Sequence, residues 1–322
     1  MRRPGCLGMI LALALVAALF GVATSWMGAG PAEKDVAVVV SNGASLSRAA
    51  TELEKAGAIA SADRFLMFAR VLGTDTPIRA GEYRVPARAS HSDVLALLQS
   101  GKVIQRQVTV PEGMPSVLVH EVLMRAPHLT GTVAIPEEGS VLPDSYSYQR
   151  GDTRQQVLDR MQKAMREYLA AAWKQRKPGA VVRTPQEALT LAAIVEKETA
   201  KAEERRTVAA VYSNRLRQGM PLQADPTVIY PVTKGRPLGR RILRSELAEK
   251  NGYNTYASAG LPVGPIANPG RASIDAVLDP ASTRALYFVA DGTGGHVFAE
   301  TLEQHNANVQ KWYAIRRQRG EM

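Results

Sequence analysis

From Leu7 to Met27 the chain reads LGMILALALVAALFGVATSWM, twenty-one residues without a charge, preceded by Arg2 and Arg3. A run of that length spans a bilayer as one helix, so any water-soluble fold has to be built from residues beyond it. A cleaved signal peptide is the rival reading, but the core is long and its Ala-Thr-Ser-Trp-Met exit is a poor cleavage site. The expectation is a retained, single-pass anchor over 7–27. The positive-inside rule puts 1–6 in the cytoplasm and the remainder across the inner membrane, in the periplasm. Trp26 is expected at the far interface.

The rest of the chain is long enough for two domains, and at 45% hydrophobic residues it has the material for a core. Cys6 is the only cysteine, which excludes an intramolecular disulfide or a cysteine-based metal site. The formal net charge is +10. Nucleic acid is the reflex partner of such a chain, yet an exported one meets anionic lipid headgroups and acidic wall polymer instead.

After a linker at 28–34, DVAVVV reads as a strand and SNGASLSRAATELEKAGAI as a turn and a helix stopped by Gly57. A helix over Ala62–Leu72, the strand GEYRV, the helix SHSDVLALLQSGK and the strand VIQRQVTV complete a small α+β module over 35–110. From 111 to 182 the pattern is mostly helical. His120 and His128 lie there without a third partner at ligand spacing, so no metal is expected. About fifty residues from Met220 to Gly270 read as Pro- and Gly-rich loop, and loops of that length are usually functional. The stretch 234–244 is notably basic, a pattern commonly found on a merely solvated face. Two strands around Asp291–Gly295 form a hairpin signal, and a helix closes the chain. The fold class is therefore α+β, with a mixed, mostly helical second domain over 111–322.

Between these lies PQEALTLAAIVEKETA, Pro185–Ala200. Thr184, Pro185 and Glu187 supply a capping box and a proline at the first helical position, and the helix is expected to run at least through Thr199. Helical projection groups Glu196 with Leu189, Ala192, Ala193 and Ala200, and Glu198 with Leu191, Ile194 and Val195 on one side and Lys201 and Arg205 on the other. Poor solvation raises a carboxyl pKa and a neighbouring cation lowers it, so Glu196 is the expected proton donor. A glutamate at the polar end of a helix is ordinarily solvated or ion-paired. What favours a site is the loop beyond the helix, where Gln223, Asp225, Tyr230, Tyr253, Asn254, Tyr256 and Asn268 offer the groups that hold sugars.

IVEKET (Ile194–Thr199), NRL (Asn214–Leu216), GMPLQADPTVIY (Gly219–Tyr230), YNTY (Tyr253–Tyr256), GLPVGPIANPG (Gly260–Gly270) and YFV followed by GGHVF (Tyr287–Phe298) together closely resemble the endolytic murein transglycosylases, the MltG or YceG-like family. The likeness covers nearly the whole chain. It departs from the family pattern at Ser145, where threonine or tryptophan is usual, and in the basic 234–244 loop.

The resemblance implies a membrane-anchored lytic transglycosylase that cuts nascent peptidoglycan strands between N-acetylmuramic acid and N-acetylglucosamine, helping to terminate their elongation. It implies a LysM-like module before the catalytic domain, and peptidoglycan synthases, membrane lipid and glycan strands as partners. It also implies Glu196 as the catalytic residue, with the sugar's own 6-hydroxyl as acceptor, giving 1,6-anhydro ends. One carboxyl group can then act as acid and afterwards as base. Glu204 and Asp225 are expected to orient the site.

A non-catalytic peptidoglycan-binding scaffold and a muramidase-type hydrolase using water are the alternatives. No cofactor is expected, because Asp291–Gly295 lies between two strands and does not open a helix as a phosphate-binding loop does.

Overall fold

The computed structural model describes residues 5–321. Arg2 and Arg3, on which the membrane orientation rests, lie outside them. The architecture is α+β and divides into two units: the chain up to Arg106 together with Ser147–Asp152, and Gln107–Tyr146 together with Thr153 onward.

The first unit begins with helix α1, Gly5–Met27. Its Gly8–Met27 stretch is long and apolar enough to cross a membrane, with a mean hydropathy of 2.2. Its end departs from expectation. Trp26 is 8% exposed and packs its ring against those of Phe65, Phe68 and His91, so it belongs to the protein core and not to a lipid interface. An indole that finds three rings beside it hides more apolar surface there than at a headgroup layer.

Strands β1 (Val36–Val40) and β2 (Gly81–Val85) pair antiparallel, Val38 opposite Tyr83, around helices α2 (Leu46–Lys55) and α3 (Ala62–Leu72), and α4 (His91–Ser100) comes next. Serines cap all three helices: Ser45, Ser61 and Ser90 each accept an N–H of the first turn. Tyr83 is fully buried and its hydroxyl donates to the Arg79 carbonyl at 2.6 Å.

From the unit boundary at β3 (Arg106–Thr109) the chain runs through α5 (Ser116–Arg125), β4 (Ser145–Tyr148), which straddles the boundary again, and the long α6 (Arg154–Lys174) of the second unit. Helix α7 (Pro185–Glu198) forms where the capping signal placed it: Thr184 accepts the Glu187 N–H at 3.1 Å, and Glu187 in turn accepts that of Arg183. It ends one residue early. Thr199 is extended because its hydroxyl turns away to donate to Glu204 and accept the Lys201 N–H, which a continued helix would forbid. Ala188 through Val195 are all buried, so this helix is the centre of the core. Burying a residue such as Ile194 contributes ~2 kcal/mol.

Helix α8 (Arg205–Arg217) packs beside α7. The stretch read as loop contains α9 (Asp225–Thr233), started by Pro226 in its first turn, and α10 (Arg244–Ala248). An unanticipated helix, α11 (Arg271–Leu278), packs on α6, α7 and α8, burying Ile274, Val277 and Leu278. The hairpin of β5 (Tyr287–Ala290) and β6 (His296–Ala299) forms in register, Phe288 opposite Phe298, and α12 (Leu302–Gln318) packs on it.

Candidate active site

The last three residues of α7 send their side chains in three directions. Glu196 points to the start of α11: its Oε2 accepts the Gly270 N–H at 2.8 Å, and Oε1 stands 3.8 Å from Arg205. The side chain is 6% exposed. Lys197 is exposed. Glu198 lines a polar cleft of about 320 Å³ with Tyr212, Arg215, Leu222, Gln223, Asp225, Tyr256, Phe288 and His305.

This reverses the environments expected from helical projection. Burial pushes the Glu198 carboxyl up to about 7; the Asp225 carboxylate adds to the rise, while a hydrogen bond from the Tyr212 hydroxyl and the charge of Arg215 oppose it. The small apolar neighbours assigned to Glu196 do not surround its carboxylate, which meets a backbone amide and a guanidinium instead. Arg205, expected beside Glu198, lies between Glu196 and Glu112. Projection treats the helix as a free cylinder, whereas Gly270 and Arg205 meet it at Glu196 and Tyr212 meets it at Glu198.

Several elements hold the cleft. On α8, Tyr212 and Arg215 stand one turn apart. Arg215 is 8% exposed, and its guanidinium donates to the carbonyls of Leu286 at 2.7 Å and Leu222 at 2.8 Å, fastening the segment before α9 to that before β5. Gln223 is held in the left-handed region, φ 52°, its N–H donated to the Thr255 carbonyl. Such backbone costs ~1–2 kcal/mol and is typical of functional positions. Thr227 and Thr255 join hydroxyls at 2.8 Å beneath it. Asp225 accepts the Tyr256 hydroxyl at 2.5 Å, so the second carboxylate of the cleft is oriented and already partnered. Phe288 closes one wall, and on it rests the His296 ring.

Of the residues singled out in the sequence, the cleft brings together Glu198, Gln223, Asp225 and Tyr256. The others serve elsewhere. Glu204 accepts from His296, by its backbone N–H at 2.9 Å and its ring at 2.7 Å, and so acts on the cleft only through the Phe288 wall. Asn254 is 1% exposed, with its amide spent on the carbonyls of Glu246, Leu247 and Glu249. Asn268 has no exposed surface; it donates to Met114, Ser116 and Glu138 and accepts the Val141 N–H. Neither asparagine can reach a sugar: buried amides are enlisted to satisfy loop backbone. Tyr230 and Tyr253 pack on each other, centroids 4.8 Å apart, and Tyr230 lines a separate cleft.

Sequence reading passed over Tyr212, Arg215, Phe288 and His305. The available signal was Arg215 itself, a cation one turn from Tyr212 on the apolar stripe of α8. Among the described residues, no cluster of three or more His, Cys, Asp or Glu side chains is placed to hold a metal ion.

Residues 38–311 match the YceG-like family. The chain is 28% identical to the endolytic murein transglycosylase of Bacillus subtilis, over 90% of this chain and 89% of that one. It is also 28% identical to the endolytic murein transglycosylase of Streptococcus pneumoniae, over 86% of this chain but 58% of that longer one. A crystal structure of a yceG-like protein from Listeria monocytogenes superposes with a TM-score of 0.52 at 26% identity, covering 85% of this chain and 99% of that one.

Proposed function

The chain belongs to the YceG-like family, and we propose that it is a lytic transglycosylase of peptidoglycan whose acid is Glu198. The observation that carries this reading is a carboxyl group held up to about 7 by burial, at the wall of a polar cleft that also presents Gln223, Asp225 and Tyr256. A carboxylic acid that keeps its proton near neutrality is what cleavage of a glycosidic bond demands. Glu196, first expected in that role, is tied to the Gly270 amide and Arg205 and braces α7 against α11.

In this mechanism Glu198 gives its proton to the oxygen bridging N-acetylmuramic acid and N-acetylglucosamine as the C1–O bond breaks. The muramic 2-acetamido group shares the positive charge developing at C1. The 6-hydroxyl of the same sugar then attacks C1, and its proton passes to the Glu198 carboxylate, restoring the acid. The products are a 1,6-anhydromuramic end and a free 4-hydroxyl, with no water consumed. Asp225, its geometry set by Tyr256, adds by its charge to the rise that burial imposes on the acid and lies in the same cleft to orient the sugar.

The same reading makes α1 a single-pass anchor of the inner membrane with its N-terminus in the cytoplasm, putting the second unit in the periplasm beside nascent strands and their synthases. The β1–α2–α3–β2 order of the first unit supports a LysM-like, glycan-handling module. Mass spectrometry of the digest of purified strands tests the chemistry. Anhydro ends are expected; reducing ends would make the protein a hydrolase, and intact strands a scaffold. Turnover should also fall as pH rises through about 7, where the acid loses its proton.

A further inference from the structure

A second cleft, of about 520 Å³, is lined by neighbours in sequence of the residues that line the polar one and differs from it in chemistry. Its walls include Met114, Pro115, Leu118, Pro226, Ile229 and Ile266, predominantly apolar and stiffened by proline. Consecutive residues separate the two spaces: Lys197 and Pro226 line this one, Glu198 and Asp225 the other. Three polar side chains reach it, and two are committed. Arg236 is paired with Glu121, and the Tyr230 hydroxyl serves Glu138. The third is Lys197. Its one hydrogen bond among the described residues is a long one, 3.5 Å to the Gly113 carbonyl, and the neighbouring Glu196 is occupied by Gly270 and Arg205.

We propose that this cleft receives the peptide carried on the lactyl group of N-acetylmuramic acid, an inference that rests on the transglycosylase reading of the polar cleft. The two halves of peptidoglycan differ as the two clefts do. The glycan is uncharged and dense in hydroxyl and amide groups, and suits Gln223, Asp225 and Tyr256. The peptide is short, rich in alanine methyls and anionic through its free carboxylates. Methyl groups gain by leaving water for proline and leucine walls, and a carboxylate gains a charge-assisted bond from an ammonium lacking an acidic partner. Walls fixed by proline lose little freedom when the ligand seats. The peptide branches from the muramic residue, the sugar whose C1 the acid must reach, and the two clefts are bordered by the same two chain segments, the end of α7 and the start of α9.

The test uses the full chain in lipid nanodiscs and two strand preparations, one bearing peptides and one stripped by an amidase. Binding to both is measured in the Glu198→Gln protein, and turnover of both in the wild type. The peptide-bearing strand is expected to bind more tightly. Adding Lys197→Met should cut that preference by about tenfold, the worth of one charged hydrogen bond, and Leu118→Trp, which fills the cleft, should cut it as well. Equal binding of the two strands, or a preference that both substitutions leave intact, overturns the proposal. Preferential peptide-strand binding without any turnover sustains it while refuting the transglycosylase reading, so the two failures are distinguishable.

Discussion

Glu196 and Glu198 stand two residues apart on one helix and live in opposite worlds. One carboxylate, on a side chain 6% exposed, is bonded to a backbone amide and faces a guanidinium. The other looks into a solvent-reachable cleft, with a tyrosine hydroxyl and a second acid as company. The difference comes from what covers the last turn of α7: α11 and Arg205 on one side, Tyr212 of α8 and the start of α9 on the other. Whether a carboxyl group is held protonated or drawn into a brace is set by its tertiary neighbours, and the helix alone does not choose.

Exchange of each acid for its amide is the most severe trial of that contrast. Glu198→Gln should lower turnover on the order of 10³-fold, the range of a general acid, and leave the fold intact. Glu196→Gln should keep measurable turnover and instead cost about 1 kcal/mol, because Arg205 loses one of the two carboxylates between which it lies. Steady-state kinetics and denaturant unfolding on both variants decide. The opposite pattern would return the acid role to Glu196.

The Asn268→Ala variant should be the next most damaging, by about 2 kcal/mol, since it strands the buried Val141 N–H and removes one of several donors to the half-buried Glu138 carboxyl. KM on glycan strands should change little while the protein remains folded. A selective rise in KM without loss of stability would restore it to the substrate-contacting group.

Glu198 also makes a stability contrast with pH. Its folded pKa of about 7 exceeds the ordinary 4.5, so its stabilising contribution is complete below about 4.5 and is lost as pH rises through about 7. Glutamine cannot ionise. Glu198→Gln should therefore melt a few degrees above wild type at about pH 8.5 and level with it at about pH 5. A difference independent of pH would mean that the carboxyl is not held protonated by its surroundings.

Much of the fold was legible because its signals are local. The apolar run, the Thr184 cap, the Asp291–Gly295 hairpin and the glycines after α2 and α4 act through a few adjacent residues. What escaped depends on distant partners. α9 hides in a proline-rich stretch because Pro226 is harmless in a first turn. α11 is eight residues long and capped by a glycine with no side chain to announce it. The site divided the same way. Gln223, Asp225 and Tyr256 were visible as a polar group because they fall in one Pro- and Gly-rich stretch, Met220–Gly270. The surroundings of the Glu196 and Glu198 carboxyl groups were not, because they depend on tertiary partners, Gly270 for one and Tyr212 for the other.

The smallest expected effect is the most specific to the cleft. The Tyr212 hydroxyl donates to the Glu198 carboxylate and so favours its charged form, the main opposition to burial. Tyr212 is buried, and removing its hydroxyl leaves ring packing against Phe288 in place. Tyr212→Phe should therefore raise the acid's pKa by about half a unit to one unit, the worth of a single hydrogen bond. The alkaline limb of the turnover profile moves to higher pH by that amount, and activity above neutrality increases relative to wild type. Glu196 bonds to Gly270 and Arg205 on the other side of the helix, so a limb belonging to it would stay where it was. The displacement of that limb identifies which of the two carboxyl groups holds the proton that breaks the glycosidic bond.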